Sequence, residues 1–184
     1  MYKVIKADRF DDVWNDVADI NQEFTSADTS INSGRLPAIF NLINLPEGTV
    51  NLDYGGGRFD NVAEYYSQYN IINLVFDPFN RSSAHNKEVI EKLRSIRGAD
   101  SATCSNVLNV IKEESNRIAV LRNISRLIKP GAPVYITVYE GNGTGEEGQT
   151  KAGYQLNRKT KDYMDEIATV FPNVTRKGKL IIAE

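Results

Sequence analysis

The sequence predicts an α/β protein of three layers, with a mostly parallel sheet between two helical layers and an antiparallel hairpin ending the chain. Three observations lead there. From residue 49 onward, short runs rich in Val, Ile and Leu alternate with longer segments of helical spacing, the pattern of parallel strands joined by crossover helices. A glycine triplet, Gly55-Gly56-Gly57, closes the first run and precedes a helical segment. The last two runs are separated only by Lys177-Gly178, a turn suited to an antiparallel pair.

The elements follow in order. In the first 45 residues, Phe10, Val13, Trp14, Val17 and Ile20 recur at helical spacing, and Leu36–Leu45 forms a second apolar segment. The polar stretch TSADTSINSGR between them reads as a loop that could act as a lid. Pro46-Glu47-Gly48 breaks the chain. Thr49–Asp53 is then a strand, Phe59–Gln68 a helix, Ile71–Phe76 a buried strand and Ser83–Arg97 a helix, with Ser83 a candidate cap. Ser101–Ser105 is the third strand, Ser115–Lys129 a long helix stopped by Pro130-Gly131, and Val134–Val138 the fourth strand. A polar, Gly-rich loop runs from Tyr139 to Thr160, a last helix covers about Lys161–Phe171, and Asn173–Arg176 with Lys179–Ala183 make the hairpin.

Gross composition narrows the function classes. With 184 residues one domain is expected, a helical cap over 1–45 on a core over 46–184. Hydrophobic content of 41% and charged content of 25% are those of an ordinary globular chain. A net charge of −2 supplies no overall basic field for nucleic acid. The single cysteine, Cys104, excludes an internal disulfide and fits a reducing compartment. No apolar run resembles a signal peptide or approaches the ~18 residues of a membrane span. A cytoplasmic enzyme or binding protein, with no membrane contact and no metal site, is the expectation.

The glycine triplet could be a plain turn or a place where backbone lies against a ligand. In a sheet of this kind ligands sit beyond the carboxyl ends of the strands. Asp53 ends the first strand and Asp77 ends the second, 24 residues later, where an acid can accept from ribose hydroxyls. A dinucleotide loop would carry a third glycine where Asp60 stands, and a carboxylate there opposes a pyrophosphate at the helix N-terminus. An adenosine with a cationic or zwitterionic tail suits the loop better.

The ordered set NLDYGGGRFD, LVFDPFNRS, ATCSNVLNVI and RLIKPGAPVYITVYEG, with the C-terminal hairpin, resembles the class I S-adenosylmethionine-dependent methyltransferases. More closely it resembles small phage and bacterial members sharing a GGG loop, a DP-x-NR segment and SNVLNVI. The resemblance covers roughly residues 46–184 and implies a Rossmann-like methyltransferase sheet. It implies S-adenosylmethionine as cofactor, S-adenosylhomocysteine as product, and Asp53, Tyr54, Gly55, Gly56, Gly57, Asp77, Pro78, Asn106 and Val107 as the residues that hold it. One departure is plain: only one helix separates the Asp77 strand from the Ser101–Ser105 strand. A full member fits helix, strand and helix there, so an edge strand is expected to be missing or reduced to a remnant near Arg97-Gly98-Ala99. Asp100 is then the nearest acid that could replace lost adenine contacts, unless it is only a solvated strand start. Arg81, His85 and Asn86 could border the nucleoside.

The methyl acceptor is less legible. Ser105-Asn106-Val107-Leu108 stands where exocyclic-amine DNA methyltransferases carry Asp, Asn or Ser followed by two prolines and an aromatic, and the missing prolines disfavour that chemistry. Cys104 lies inside a strand and reads as a small core residue, and His85, the only histidine, as structural or solvated. Tyr139 and Glu140 end the fourth strand; Tyr139, Gln155, Asn157 and Arg158 are the catalytic or acceptor-facing candidates. Gly141, Gly143, Gly145 and Gly148 suit a mobile lid, with the segment near Arg35 closing from the other side. Arg158-Lys159-Thr160-Lys161 is a solvated helix start or a phosphate contact. A small-molecule acceptor is expected, with nucleic acid or nucleotide as the alternative within enzymes and a non-catalytic cofactor-binding protein outside them.

Overall fold

In the computed structural model, residues 8–25, 35–150 and 153–184 are described. The candidate lid over residues 25–35 lies outside them save for its two ends. Among the described residues eight strands are formed: β1 (Val50–Tyr54), β2 (Ile72–Phe76), β3 (Ser101–Ser105), β4 (Val134–Thr137), β5 (Glu147–Thr150), β6 (Gly153–Leu156), β7 (Val174–Lys177) and β8 (Leu180–Ala183). The α-helices among the same residues are α1 (Arg9–Ala18), α2 (Asn61–Ser67), α3 (Ser83–Ser95), α4 (Glu114–Leu127) and α5 (Met164–Ala168). The main sheet has the order β2-β1-β3-β4-β8-β7. Its first four strands are parallel, and β8 and β7 join antiparallel. This is the mostly parallel sheet with a C-terminal antiparallel pair that the sequence predicts.

Side-chain alternation along each strand decides what covers each face. Leu52, Tyr54, Ala102, Cys104, Val134 and Ile136 point into a core shared with α1, α3, α4 and α5. The opposite face carries α2 and a 3-10 turn, Ala38–Asn41, around Ile39, Phe40, Val62 and Tyr66. That second face is polar at its centre. Ser101 Oγ donates to Asn51 Oδ1 (2.8 Å), and Asn51 Nδ2 donates to Asn73 Oδ1 (2.7 Å) and Thr103 Oγ1 (3.0 Å). Thr103 Oγ1 then donates to Asp53 Oδ1 (2.9 Å), and Asn73 Nδ2 lies 3.5 Å from Asp53 Oδ2. A buried hydrogen-bonded row thus crosses β1, β2 and β3 and ends on Asp53. A second buried polar group ties α4 to α5. Arg117 forks onto Glu166 (2.8 and 2.9 Å) and donates to the carbonyls of Ile111 (3.0 Å) and Lys112 (2.8 Å).

Several boundaries differ from the sequence reading. Leu36–Leu45 makes only the 3-10 turn, because the stretch between Pro37 and Pro46 is too short for a stable α-helix and the residue before Pro46 is pushed out of the helical region. α2 begins at Asn61, two residues later than expected. α3 is capped by Ser82, whose Oγ accepts from His85 N (3.2 Å), so Ser83 is the first helical residue and not the cap. The last helical segment is a 3-10 turn, Thr160–Tyr163, running into the short α5. The Gly-rich loop contains the β5–β6 hairpin, whose short strands lie hidden among glycines.

The expected edge-strand remnant is placed differently too. Ala99 makes a parallel bridge to Ile128, which extends the β3–β4 side of the sheet and lies away from β2. Among the described residues β2 is therefore the outer parallel strand. Asp100 accepts from Val50 N (2.9 Å) and Lys129 Nζ (2.5 Å). It sits at the amino ends of β1 and β3, the pole opposite the glycine loop, and cannot reach a ligand there.

Candidate functional site

β1 is followed by β2 on one side and, after the return through α3, by β3 on the other. The reversal opens a crevice beyond the carboxyl ends of these strands, where open α/β sheets bind ligands. Gly55–Gly57, Asp77–Asn80 and Asn106–Val107 meet there.

The glycine loop is packed from beneath. Gly55 (φ +77) and Gly57 (φ +80) hold left-handed conformations that side chains disfavour. A Cβ on Gly56 would stand 2.5 Å from Asp53 Oδ2, and one on Gly55 2.4 Å from Val107 Cγ2. Asp77 ties the loop to β2. Its Oδ2 accepts from Gly57 N (2.9 Å) and Asn80 Nδ2 (3.2 Å), and its Oδ1 from Phe79 N and Asn80 N (both 3.0 Å). Asn86 braces the Asp77 backbone, accepting from its N–H (3.1 Å) and donating to its carbonyl (2.9 Å). Arg81 donates to the carbonyls of Gly57 and Phe59 (both 2.7 Å) and pairs with Asp60 (2.8 Å). The charge that the sequence sets against a pyrophosphate is thus largely offset, which weakens that electrostatic argument. Arg81 and Asn86 support the loop and its partner strand. His85 Nε2 lies 2.8 Å from Val75 O and covers a carbonyl of the outer strand.

Asp53 is 2% exposed. Burial raises its pKa from 3.8 to about 6, against the lowering effect of bonds from Thr103 and Asn73. A carboxyl whose folded pKa lies above its ordinary value contributes stability that is complete below the ordinary value. That contribution is lost as pH rises through about 6. The Asp53→Asn variant should lack this decline. Urea unfolding at several pH values between 4 and 7 should show the variant gaining on the wild-type chain as pH rises. A flat difference would mean that the Asp53 pKa is not raised.

A cavity of about 90 Å³ opens beside Gly55, Asp77 and Pro78, with Val107 and Val120 among its walls. Its remaining side comes from Ile20, Gln22 and Phe24, beyond α1. Sequence reading missed this wall. Nothing local marks it, because it is held by residues some 90 positions away: Asn116 Nδ2 donates to Asn21 O (2.9 Å), Glu23 N to Glu113 Oε1 (3.0 Å), and Lys112 pairs with Glu23 (2.5 Å). Phe24 stacks on Tyr154 of β6 at 5.5 Å. Asn106, at the end of β3, is exposed and has a left-handed backbone (φ +58), a conformation asparagine tolerates and that clusters at functional sites.

The acceptor-facing candidates scatter. Tyr139 is 63% exposed. The Gln155 amide is engaged on both sides, accepting from Asn109 Nδ2 (3.0 Å) and donating to the carbonyls of Tyr139 (2.9 Å) and Leu156 (2.8 Å). Asn157 packs on Gly141, where a Cβ would meet its Oδ1. Arg158 pairs with Glu166, donates to the Asp162 carbonyl and lies over the Tyr163 ring. Glu140 accepts from Thr160 N and Oγ1 (both 2.8 Å) and pairs with Lys179. Burial raises the Cys104 pKa, which keeps the thiol protonated and fits the core reading. Among the described residues no three His, Cys, Asp or Glu side chains gather as metal ligands, and no helix is long and apolar enough to cross a membrane.

No protein-family model matches the chain, and no curated protein matches it closely. Solved structures match its fold, which is the Rossmann-like fold of S-adenosylmethionine-dependent methyltransferases. One is the 1,6-didemethyltoxoflavin-N1-methyltransferase of Burkholderia thailandensis with bound 1,6-didemethyltoxoflavin and S-adenosylhomocysteine. It has TM-score 0.51 and 14% identity over 74% of this chain and 70% of that one. A second, the mitomycin 7-O-methyltransferase MmcR, has TM-score 0.50 and 13% identity over 79% of this chain and 51% of that one, so the chain spans about half its length. A third, the [4+2]-cyclase SpnF, has TM-score 0.52 and 16% identity over 92% and 71%.

Proposed function

We propose that the chain is a single-domain, cytoplasmic enzyme that binds S-adenosylmethionine and transfers its methyl group to an oxygen or nitrogen of a small-molecule acceptor. The observation that carries this reading is the joint placement of Asp53, Gly55–Gly57 and Asp77 around one crevice, with Asp77 bonded to the loop itself. The methyltransferase with bound S-adenosylhomocysteine among the similar folds supports it. The residues fit the cofactor's chemistry: carboxylate and backbone groups for a ribose, loop glycines admitting close backbone approach, and Pro78 and Val107 as apolar walls for a base. The cavity is smaller than the ~300–1,000 Å³ of ordinary ligand sites, so it takes part of the cofactor, and the remainder lies outside it along the glycine loop.

When bound, the cofactor supplies an electrophilic methyl on a sulfonium. The chain's own part is orientation. Gly55–Gly57, together with Tyr54, Asp77, Pro78, Asn106 and Val107, hold the donor, and Tyr139 offers an exposed ring at the end of β4 beside which an acceptor can lie. Holding two reactants in line supplies much of the rate without a strong base. Gln155, Asn157 and Arg158 support the acceptor side indirectly, by fixing the β5–β6 hairpin and the chain that follows it.

Calorimetry with S-adenosylmethionine and S-adenosylhomocysteine tests the common step, and no heat with either would sink it. Asp77→Ala should weaken S-adenosylhomocysteine binding by about 1.5–3 kcal/mol or more, because the loop loses its tie as well as the ribose its acceptor. Unchanged affinity would remove Asp77 from the site. Radiolabelled cofactor incubated with fractionated cell extract then separates small-molecule, nucleic-acid and protein acceptors. A second reading, binding without methyl transfer, is favoured by the likeness to SpnF, a cyclase on this fold, and by the internal engagement of Gln155 and Arg158. Cofactor binding with no label transferred to any fraction would select it.

A further inference from the structure

Gln22 Oε1 is buried at the cavity wall and has no hydrogen-bond partner among the described residues. A buried carbonyl oxygen left unpaired is costly, of the order of a kept hydrogen bond or more. Its neighbours are fixed on both sides. The Asn21 carbonyl accepts from Asn116, Glu23 is held by Glu113 and Lys112, and Phe24 rests on Tyr154. The backbone that carries Gln22 is therefore held against the cavity, and the unpaired amide oxygen can only accept. The cavity it borders is large enough for part of a ligand but not for a whole cofactor, has apolar walls in Pro78, Val107 and Val120, and adjoins Asp77.

We infer that Gln22 is a specificity-determining residue that accepts a hydrogen bond from the exocyclic amine of an adenine ring lying in this cavity. The inference rests on the proposed cofactor reading and adds to it a donor-selecting contact from outside the α/β core. The segment after α1 then has two roles, since the chain that closes the cavity also checks the base. The outer parallel strand β2 has no neighbouring strand on its far side among the described residues, so the contact comes instead from the N-terminal segment.

The test compares S-adenosylhomocysteine with its analogue bearing hydrogen in place of the adenine amine, by calorimetry on the full chain. The wild-type chain should bind the amine-bearing ligand about tenfold more tightly, one hydrogen bond's worth. Gln22→Leu should bind S-adenosylhomocysteine about tenfold more weakly while leaving the analogue within about twofold, with thermal stability kept or raised. Equal binding of the two ligands by the wild-type chain overturns the inference, even if the variant fails to fold. Equal weakening of both ligands in a folded variant overturns it as well. If S-adenosylhomocysteine does not bind at all, the cofactor reading falls and this inference with it; if it binds without regard to the amine, only this inference falls.

Discussion

Gly56→Ala should abolish measurable S-adenosylhomocysteine binding at ordinary concentrations, about 100-fold or more, and lower stability by about 1–3 kcal/mol. The backbone at Gly56 is not left-handed, so the effect is steric. The added methyl would lie 2.5 Å from Asp53 Oδ2, 2.8 Å from its Cγ and 3.1 Å from Val75 Cγ1. Asp53 cannot yield, because Thr103 and Asn73 hold its carboxyl. The loop must lift instead, and Gly57 N is drawn away from Asp77. Gly55→Ala combines two penalties: its methyl meets Val107 Cγ2 at 2.4 Å, on a β-branched side chain with little freedom to turn, and its left-handed φ adds about 1–2 kcal/mol. Calorimetry and thermal melting measure both variants. A Gly56→Ala chain that binds within twofold of wild type would show that the loop does not touch the ligand.

Arg117→Met should cost about 3–5 kcal/mol of stability, because it breaks a buried ion pair and leaves two carbonyls without their donor. The side chains of Arg117 and Glu166 are only 5% and 8% exposed. Glu166 would keep Arg158, but the carbonyls of Ile111 and Lys112 would lose their donor. Those residues join the end of β3 to α4, beside the cavity, so ligand affinity should fall too. Burial works to raise the Glu166 pKa, yet its bonds to Arg117 and Arg158 outweigh that and hold it below the ordinary carboxylate range. For a depressed acid, stability is present above the ordinary pKa and lost as pH falls through the folded one. The variant should therefore show a shallower acid-side loss than the wild-type chain. Urea denaturation at neutral pH and at about pH 4 measures both effects. A loss under 1 kcal/mol would mean that water reaches this pair.

The core strands and their helices were legible because their signals are local: apolar runs of strand length, helical periodicity, and glycine or proline at the breaks. The placement of Asp53, Gly55–Gly57 and Asp77 at the carboxyl ends of β1 and β2 was legible for a related reason, since strand ends in a parallel sheet have known addresses. The cavity wall at Gln22 and Phe24 was not, because it depends on how the chain after α1 lies against Glu113 and Asn116. Arg158 and Gln155 read as polar groups in a loop, whereas folding supplies each with internal partners. Side-chain type announces what a residue can bond to. Which partner it finds is decided by segments far away in sequence.

The buried row from Ser101 through Asn51 to Asp53 has a consequence for how the molecule assembles. Every member draws its partner from another strand: Asn51 from β1, Asn73 from β2, Ser101 and Thr103 from β3. A sheet with one of these strands absent, or slipped by one residue, would leave several amides and hydroxyls unpaired in the interior, at about 1–3 kcal/mol each. Partial sheets are thereby penalised, and the three strands are driven to associate together. The carboxylate beneath the glycine loop reaches its place only in that last, complete arrangement, so the crevice should be gained and lost with the sheet as one cooperative unit.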